Sequence, residues 1–129
     1  MLMAEECYKI IGVCMKVHSI LGPGFNEVIY KDALEIEFLK NNFVFEREKA
    51  FKVEYDGIIL KRRFYADFVL NSSIILEAKS NAQFFSHDFA QTLNYLKVAK
   101  IELGLLVNFG NPSLQYKRVI CSARNLSNR

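Results

Sequence analysis

Asp67, Glu77 and Lys79 are the residues whose types and spacing are hardest to explain without chemistry. They sit in two apolar runs, Phe64–Leu70 and Ile74–Lys79, joined by the turn-forming Asn71-Ser72-Ser73. A hairpin centred on Ser72 places Asp67 and Glu77 directly opposite each other on an antiparallel pair. Opposed side chains have Cβ atoms about 4.5–5.5 Å apart, and like charges there repel. Lys79 follows Glu77 by two residues and shares its face, because strand side chains alternate. Two carboxylates and an ammonium among Phe68, Val69, Ile74, Ile75 and Leu76 are costly to bury without a purpose. A divalent cation between the carboxylates removes the repulsion. The plainer reading, a surface salt bridge on a hairpin, leaves the apolar flanks unexplained.

Cations cluster nearby. Lys61, Arg62 and Arg63 lie just before the Asp67 run, and Arg47, Lys49 and Lys52 occupy the preceding one. Alone they read as a solvated strand face that discourages edge pairing. Beside a cation-binding carboxylate pair, contact with a phosphate backbone explains them equally well.

The elements that must hold these residues follow from periodicity. Cys7, Ile10, Ile11, Cys14, Val17 and Leu21 recur at helical spacing, predicting a helix over 4–20 that Gly22-Pro23-Gly24 stops. A second helix is expected over 26–41, capped by Asn26 and ended by Asn41-Asn42. Strands follow at 44–55, 58–70 and 74–79, the first two joined by the hairpin signal Asp56-Gly57. Ser86 is expected to cap a third helix running to Lys100, with strands at 103–108 and 116–122 and a polar tail over 123–129. The order α-α-β-β-β-α-β-β predicts helices on a mixed central sheet, with the strands either side of the third helix parallel.

The chain of 129 residues suits one α/β domain with its core over about 5–122, and its hydrophobic share of 51% excludes a disordered chain. No apolar run approaches the ~20 residues of a membrane span, so no membrane association is expected. Glu5 and Glu6 replace the basic start of a secretory signal. Cys7, Cys14 and Cys121 lack metal-ligand spacing and read as buried reduced thiols, which suits a cytoplasmic protein. A net charge of +3 permits a polyanionic partner without requiring one.

Asp67, nine intervening residues, then Glu77-Ala78-Lys79 resembles the PD-(D/E)XK nuclease signature, with Ala66 where the motif names Pro. Gly24-Phe25-Asn26-Glu27-Val28-Ile29-Tyr30 resembles the motif of the GxxExxY branch of that superfamily. Leu21-Gly22-Pro23-Gly24, Tyr65-Ala66-Asp67, Gln91-Thr92-Leu93-Asn94-Tyr95-Leu96 and Gly104–Gly110 resemble its other blocks, in order, over about residues 17–120. Gln91 and Tyr95 also match the Gln-x-x-x-Tyr helix motif of RecB-like exonucleases.

The resemblance implies a restriction-endonuclease-like layered fold and a nuclease that hydrolyses phosphodiesters, of DNA more readily than RNA, with Mg²⁺ or Mn²⁺. It implies Asp67, Glu77 and the Ala78 carbonyl as metal ligands, with Glu27 and His18 as further candidates. Lys79 is then expected to position the attacking water or stabilise the phosphorane, more than to act as a base, since neighbouring carboxylates oppose a lowered lysine pKa. Gln91 is expected at the catalytic centre. Tyr95, Tyr30, Lys61, Arg62 and Arg63 are expected to meet substrate. Each has a structural alternative: a dipole-favoured first-turn Glu27, a packed His18, and core aromatics at Tyr30 and Tyr95. A homodimer fits so small a chain. The rival reading is a non-catalytic module that binds nucleic acid or protein on a nuclease fold.

Overall fold

The computed structural model describes residues 2–122; the polar tail expected over 123–129 lies outside the described residues. The elements are α1 (Ala4–Leu21), α2 (Glu27–Lys40), β1 (Phe45–Tyr55), β2 (Ile58–Leu70), β3 (Ile74–Lys79), α3 (Ser86–Ala99), β4 (Leu103–Asn108) and β5 (Gln115–Ile120). The strands form one sheet in the order β1-β2-β3-β4-β5. It is mixed: β3 and β4 run parallel across α3, and the other neighbours are antiparallel.

Helices cover both faces of this sheet. The apolar stripe of α1 (Cys7, Ile10, Cys14, Val17) and that of α2 (Tyr30, Leu34, Phe38) pack on Phe68, Leu70, Leu76, Leu105 and Val107. On the opposite face Leu96 of α3 meets Ala66, Val69 and Ile75. With both faces covered, β3 and β4 are almost wholly apolar, as buried parallel strands must be. Gly104 lets α3 lie close on β4, since a Cβ there would stand 3.0 Å from Thr92 Cγ2 and 3.4 Å from Leu96. The three cysteines are free and buried, and burial pushes the Cys14 thiol up to about 12. No described helix is long and apolar enough to cross a membrane.

The helix caps differ from expectation. Asn26 occupies the N-cap of α2, but its side chain makes no capping bond. For α3 the N-cap is Phe85, not Ser86. The buried carboxylate of Asp88 accepts the Phe85 N–H at 3.0 Å, so the acid three residues in, and not the hydroxyl, closes the first turn. The last strand also ends two residues early, at Ile120.

Past the end of β3 the chain is held by Asn108, which is fully buried. Its Oδ1 accepts the N–H groups of Asn81 and Gly110, each at 3.0 Å, and its amide donates to the Asn81 carbonyl at 3.0 Å. Gly110 lies so close beneath that a Cβ would fall 1.9 Å from the Asn81 oxygen. Asn108→Ala strands several buried polar groups, each costing about 1–3 kcal/mol. A loss of about 2–4 kcal/mol in urea unfolding is the expected result; an unchanged midpoint would show that water replaces the amide.

Candidate active site

Asp67 and Glu77 meet where β2 and β3 part. The turn places them opposite each other, since the β2–β3 ladder runs Leu70↔Ile74, Val69↔Ile75 and Phe68↔Leu76. Beyond Phe68 the regular ladder stops. Each carboxylate instead accepts an N–H from the facing strand: Glu77 Oε2 from Asp67 at 2.7 Å, and Asp67 Oδ2 from Ala78 at 2.8 Å. The expected repulsion remains, since the Asp67 charge helps to raise Glu77, but the local geometry differs from a regular ladder. The strands open, and the side chains take the hydrogen bonds that the ladder gives up.

The other side of β2 explains how Asp67 turns into this gap. The β1–β2 pairing keeps one register from Phe45↔Leu70 to Lys52↔Arg63, yet is interrupted at Glu48 and Asp67. Glu48 has φ +52°, a left-handed conformation that costs a non-glycine residue roughly 1–2 kcal/mol. Side chains change sides here. Phe68 faces the core under α1 and α2, whereas Phe64 and Ala66 face α3. Lys49 bonds Glu46 at 2.8 Å, although residues three apart on a regular strand point to opposite faces. Distortions of this kind commonly re-aim side chains beside active sites.

The positive charge nearest Asp67 is Lys31 of α2. Its ammonium lies 3.2 Å from Asp67 Oδ1 and 2.7 Å from Glu48 Oε1. Burial works against the charged lysine, but the hydrogen bonds and charges of Glu48 and Asp67 prevail and raise its pKa. Sequence reading missed Lys31. The available signal was its spacing: four residues after Glu27, it shares that residue's helix face.

Burial dominates the electrostatics. Glu77, only 3% exposed, is pushed up to about 8 by desolvation and then by the Asp67 charge, against the Asp67 N–H and Lys79. Asp67 is raised too, by burial, although the Ala78 N–H and Lys31 oppose it. Lys79 extends to Gln91 of α3, Nζ donating to Oε1 at 3.2 Å. One helical turn on, Tyr95 is half-buried, with its ring stacked on Phe64 at 4.1 Å. Its hydroxyl is raised by burial and by the charges of Glu77 and Asp67. Asp67, Glu77, Lys79, Gln91 and Tyr95 thus share one neighbourhood.

Two other expected residues, Tyr30 and His18, are engaged by partners of their own. Tyr30 is fully buried, stacked on Phe109 at 4.5 Å, and donates to the Gly22 carbonyl at 2.5 Å. It pins the loop before α2 and offers no surface to a substrate. That loop is tied to β3 by Ser80 Oγ, which donates to the Phe25 carbonyl at 2.6 Å. His18 turns away: its Nε2 pairs with the Asn111 carbonyl at 2.7 Å. Glu27 lies in the first turn of α2, partly buried. Among the described residues no three His, Cys, Asp or Glu side chains converge as a group that could hold a metal. Lys61, Arg62 and Arg63 are exposed on the far half of β2.

The two carboxylates nevertheless suit a divalent cation. They are hard oxygen donors whose joint ionisation is opposed by burial and mutual repulsion, and a cation removes both penalties. Mg²⁺ typically takes one or two carboxylates, completing its shell with water and substrate phosphate.

A family model described as the PD-(D/E)XK nuclease superfamily matches residues 4–119. No curated protein matches the chain. Among solved structures, one designated SSO0001 is similar at TM-score 0.59 and 22% identity, covering 79% of this chain and 55% of its own. This chain therefore spans about half the length of that protein. An alkaline exonuclease (LHK-Exo) from Laribacter hongkongensis is similar at TM-score 0.56 and 7% identity, covering 99% of this chain and 75% of its own. At such identities the likeness concerns the fold, which is the mixed, helix-flanked sheet of restriction-endonuclease-like proteins.

Proposed function

This chain belongs to the PD-(D/E)XK nuclease superfamily, and from that premise we propose that it is a metal-dependent nuclease, with DNA ahead of RNA as substrate and the GxxExxY branch as its subfamily. The observation that carries the reading is the reciprocal clasp of Asp67 and Glu77 in the β2–β3 gap, with Lys79 and Gln91 beside it. A surface salt bridge needs no such burial.

In this mechanism Asp67, Glu77 and the Ala78 carbonyl would hold Mg²⁺ or Mn²⁺, which when bound would lower the pKa of a water and offer positive charge to the phosphate. Gln91 fixes the Lys79 ammonium through its Oε1, and Lys79 meets the charge that develops on the phosphorane. Lys31 leaves Asp67 with one negative neighbour fewer by engaging Glu48 as well. Glu27, one turn before Lys31 on the same helix face, would bring a further carboxylate to the ion, directly or through a water.

The test is Mg²⁺- and Mn²⁺-dependent cleavage of single-stranded, duplex and branched DNA, and of RNA. Chelator is expected to abolish it, and Lys79→Ala to lower it about 10²–10³-fold. Binding that persists without metal, with no cleavage of any substrate, would favour the non-catalytic module. Sedimentation of the full chain decides the homodimer.

A further inference from the structure

Beyond the point where β3 ends its pairing, β1 and β2 continue as a two-stranded arm. One side of the arm packs on α3 through Phe51 and Phe64, and the stack runs on to Tyr95. The other side carries Ala50, Lys52, Arg63, Tyr65 and Lys61, all exposed. Ala66 packs towards α3, so Tyr65 points the opposite way, to the side from which Lys31 reaches Asp67. Its cross-strand partner is Ala50, which leaves room beside the ring, and the next pair outward is Lys52↔Arg63. No described carboxylate pairs with Lys52, Lys61 or Arg63, although Lys31, Arg47 and Lys49 all have acidic partners.

Tyr8, Tyr55 and Tyr116 are exposed as well, on α1, at the end of β1 and on β5, but the three tyrosines nearer the carboxylates divide clearly. Tyr30 and Tyr95 have already committed a ring face, to Phe109 and Phe64. Tyr65 is 54% exposed and makes no ring contact with any described residue. It stands two residues before Asp67, and successive same-face positions outward to Arg63 and Lys61 are spaced about 6.6–6.8 Å. An aromatic face followed by unpaired cations is the combination that tracks a strand with unstacked bases. A duplex keeps its base faces covered and can use only the cations.

We infer that Tyr65 is the stacking platform for the nucleobase next to the cleaved phosphate, and that Lys52, Arg63 and Lys61 guide the adjoining single strand. The substrate class is therefore single-stranded or frayed nucleic acid. This rests on the nuclease reading for the position of cleavage, but strand binding can be measured apart from it.

The experiment uses the full chain with an oligonucleotide carrying one 2-aminopurine, as a single strand and as a blunt duplex, in chelator and in Ca²⁺. A stacked base is worth about 1–3 kcal/mol, so Tyr65→Ala is expected to weaken single-strand binding about tenfold. It should also abolish the 2-aminopurine quenching while leaving duplex affinity little changed. Tyr65→Phe should keep both properties. Tyr65→Leu, which retains bulk on the arm, should behave like the alanine variant. Losing Lys52 or Arg63 should weaken both substrates and flatten the salt dependence of single-strand binding by about 0.7 per contact. Equal losses on both substrates for Tyr65→Ala, full quenching with Tyr65→Leu, or no wild-type single-strand binding in either buffer would overturn the inference. Tyr65-dependent binding without cleavage in Mg²⁺ or Mn²⁺ would refute only the nuclease reading.

Discussion

Replacing Lys79 by alanine is expected to lower metal-dependent cleavage about 10²–10³-fold, the usual effect of removing one group aimed at transition-state charge. The loss should fall on kcat, with KM nearly unchanged, because in the proposed mechanism this ammonium meets charge that exists only as the phosphorane forms. Lys79 ends β3, partly buried, and the side-chain bond it makes is to Gln91, so unfolding temperature should change little. Gln91→Ala frees the ammonium without deleting it, and a smaller loss in kcat follows. Single-turnover rates at saturating substrate make the measurement. Wild-type kcat in Lys79→Ala would remove Lys79 from the chemistry.

The second large effect is on stability. Glu77 has an ordinary pKa of 4.5 when unfolded and is held near 8 in the fold. The native state therefore keeps a proton that the unfolded state releases between those values. Where the native state binds more protons, unfolding free energy falls as pH rises. The stability associated with neutral Glu77 is full below about 4.5 and is lost as pH rises to about 8, by an amount on the order of a few kcal/mol. Asp67, also raised, adds to the same slope. In chelator, Glu77→Gln should raise the unfolding temperature at pH 8 and flatten its fall with pH, since the amide oxygen can still accept the Asp67 N–H. With Mg²⁺ the order reverses: wild type gains stability by mass action, most at alkaline pH, while the glutamine variant gains little and does not cleave. Parallel thermal unfolding of both proteins from pH 5 to 9, with and without Mg²⁺, decides it. Wild type and variant sharing one pH slope in chelator would show that Glu77 ionises freely in the fold.

Much of this was legible in the chain itself. The Asn71-Ser72-Ser73 turn, flanked by apolar runs, determined that Asp67 and Glu77 stand opposite each other, because hairpin register follows from where the turn lies. Helical periodicity and the Gly22-Pro23-Gly24 break determined α1 and α2, and the apolar run at 103–108 determined a buried strand parallel to β3. Gln91 came to Lys79 from the expected helix. Local pattern suffices for such features, since each depends on spacing within one element or one turn.

What crosses between elements was decided only by the tertiary structure. Lys31 reaches Asp67 and Glu48 from α2 at the point where both strands change face, and the left-handed Glu48 that marks this carries no glycine to announce it. His18 and Tyr30 left the site because Asn111 and Gly22, from separate segments, offered nearer partners for buried polar atoms. Asn108 became the clamp behind Lys79 for the same reason, and Tyr65 gained its open ring face because the arm outruns the layer of helices. The sequence by itself determined which residues could act and on which element each would lie. Packing decided which polar groups were satisfied elsewhere and which remained open, because a buried hydrogen bond takes the partner that distance allows, whatever its place along the chain.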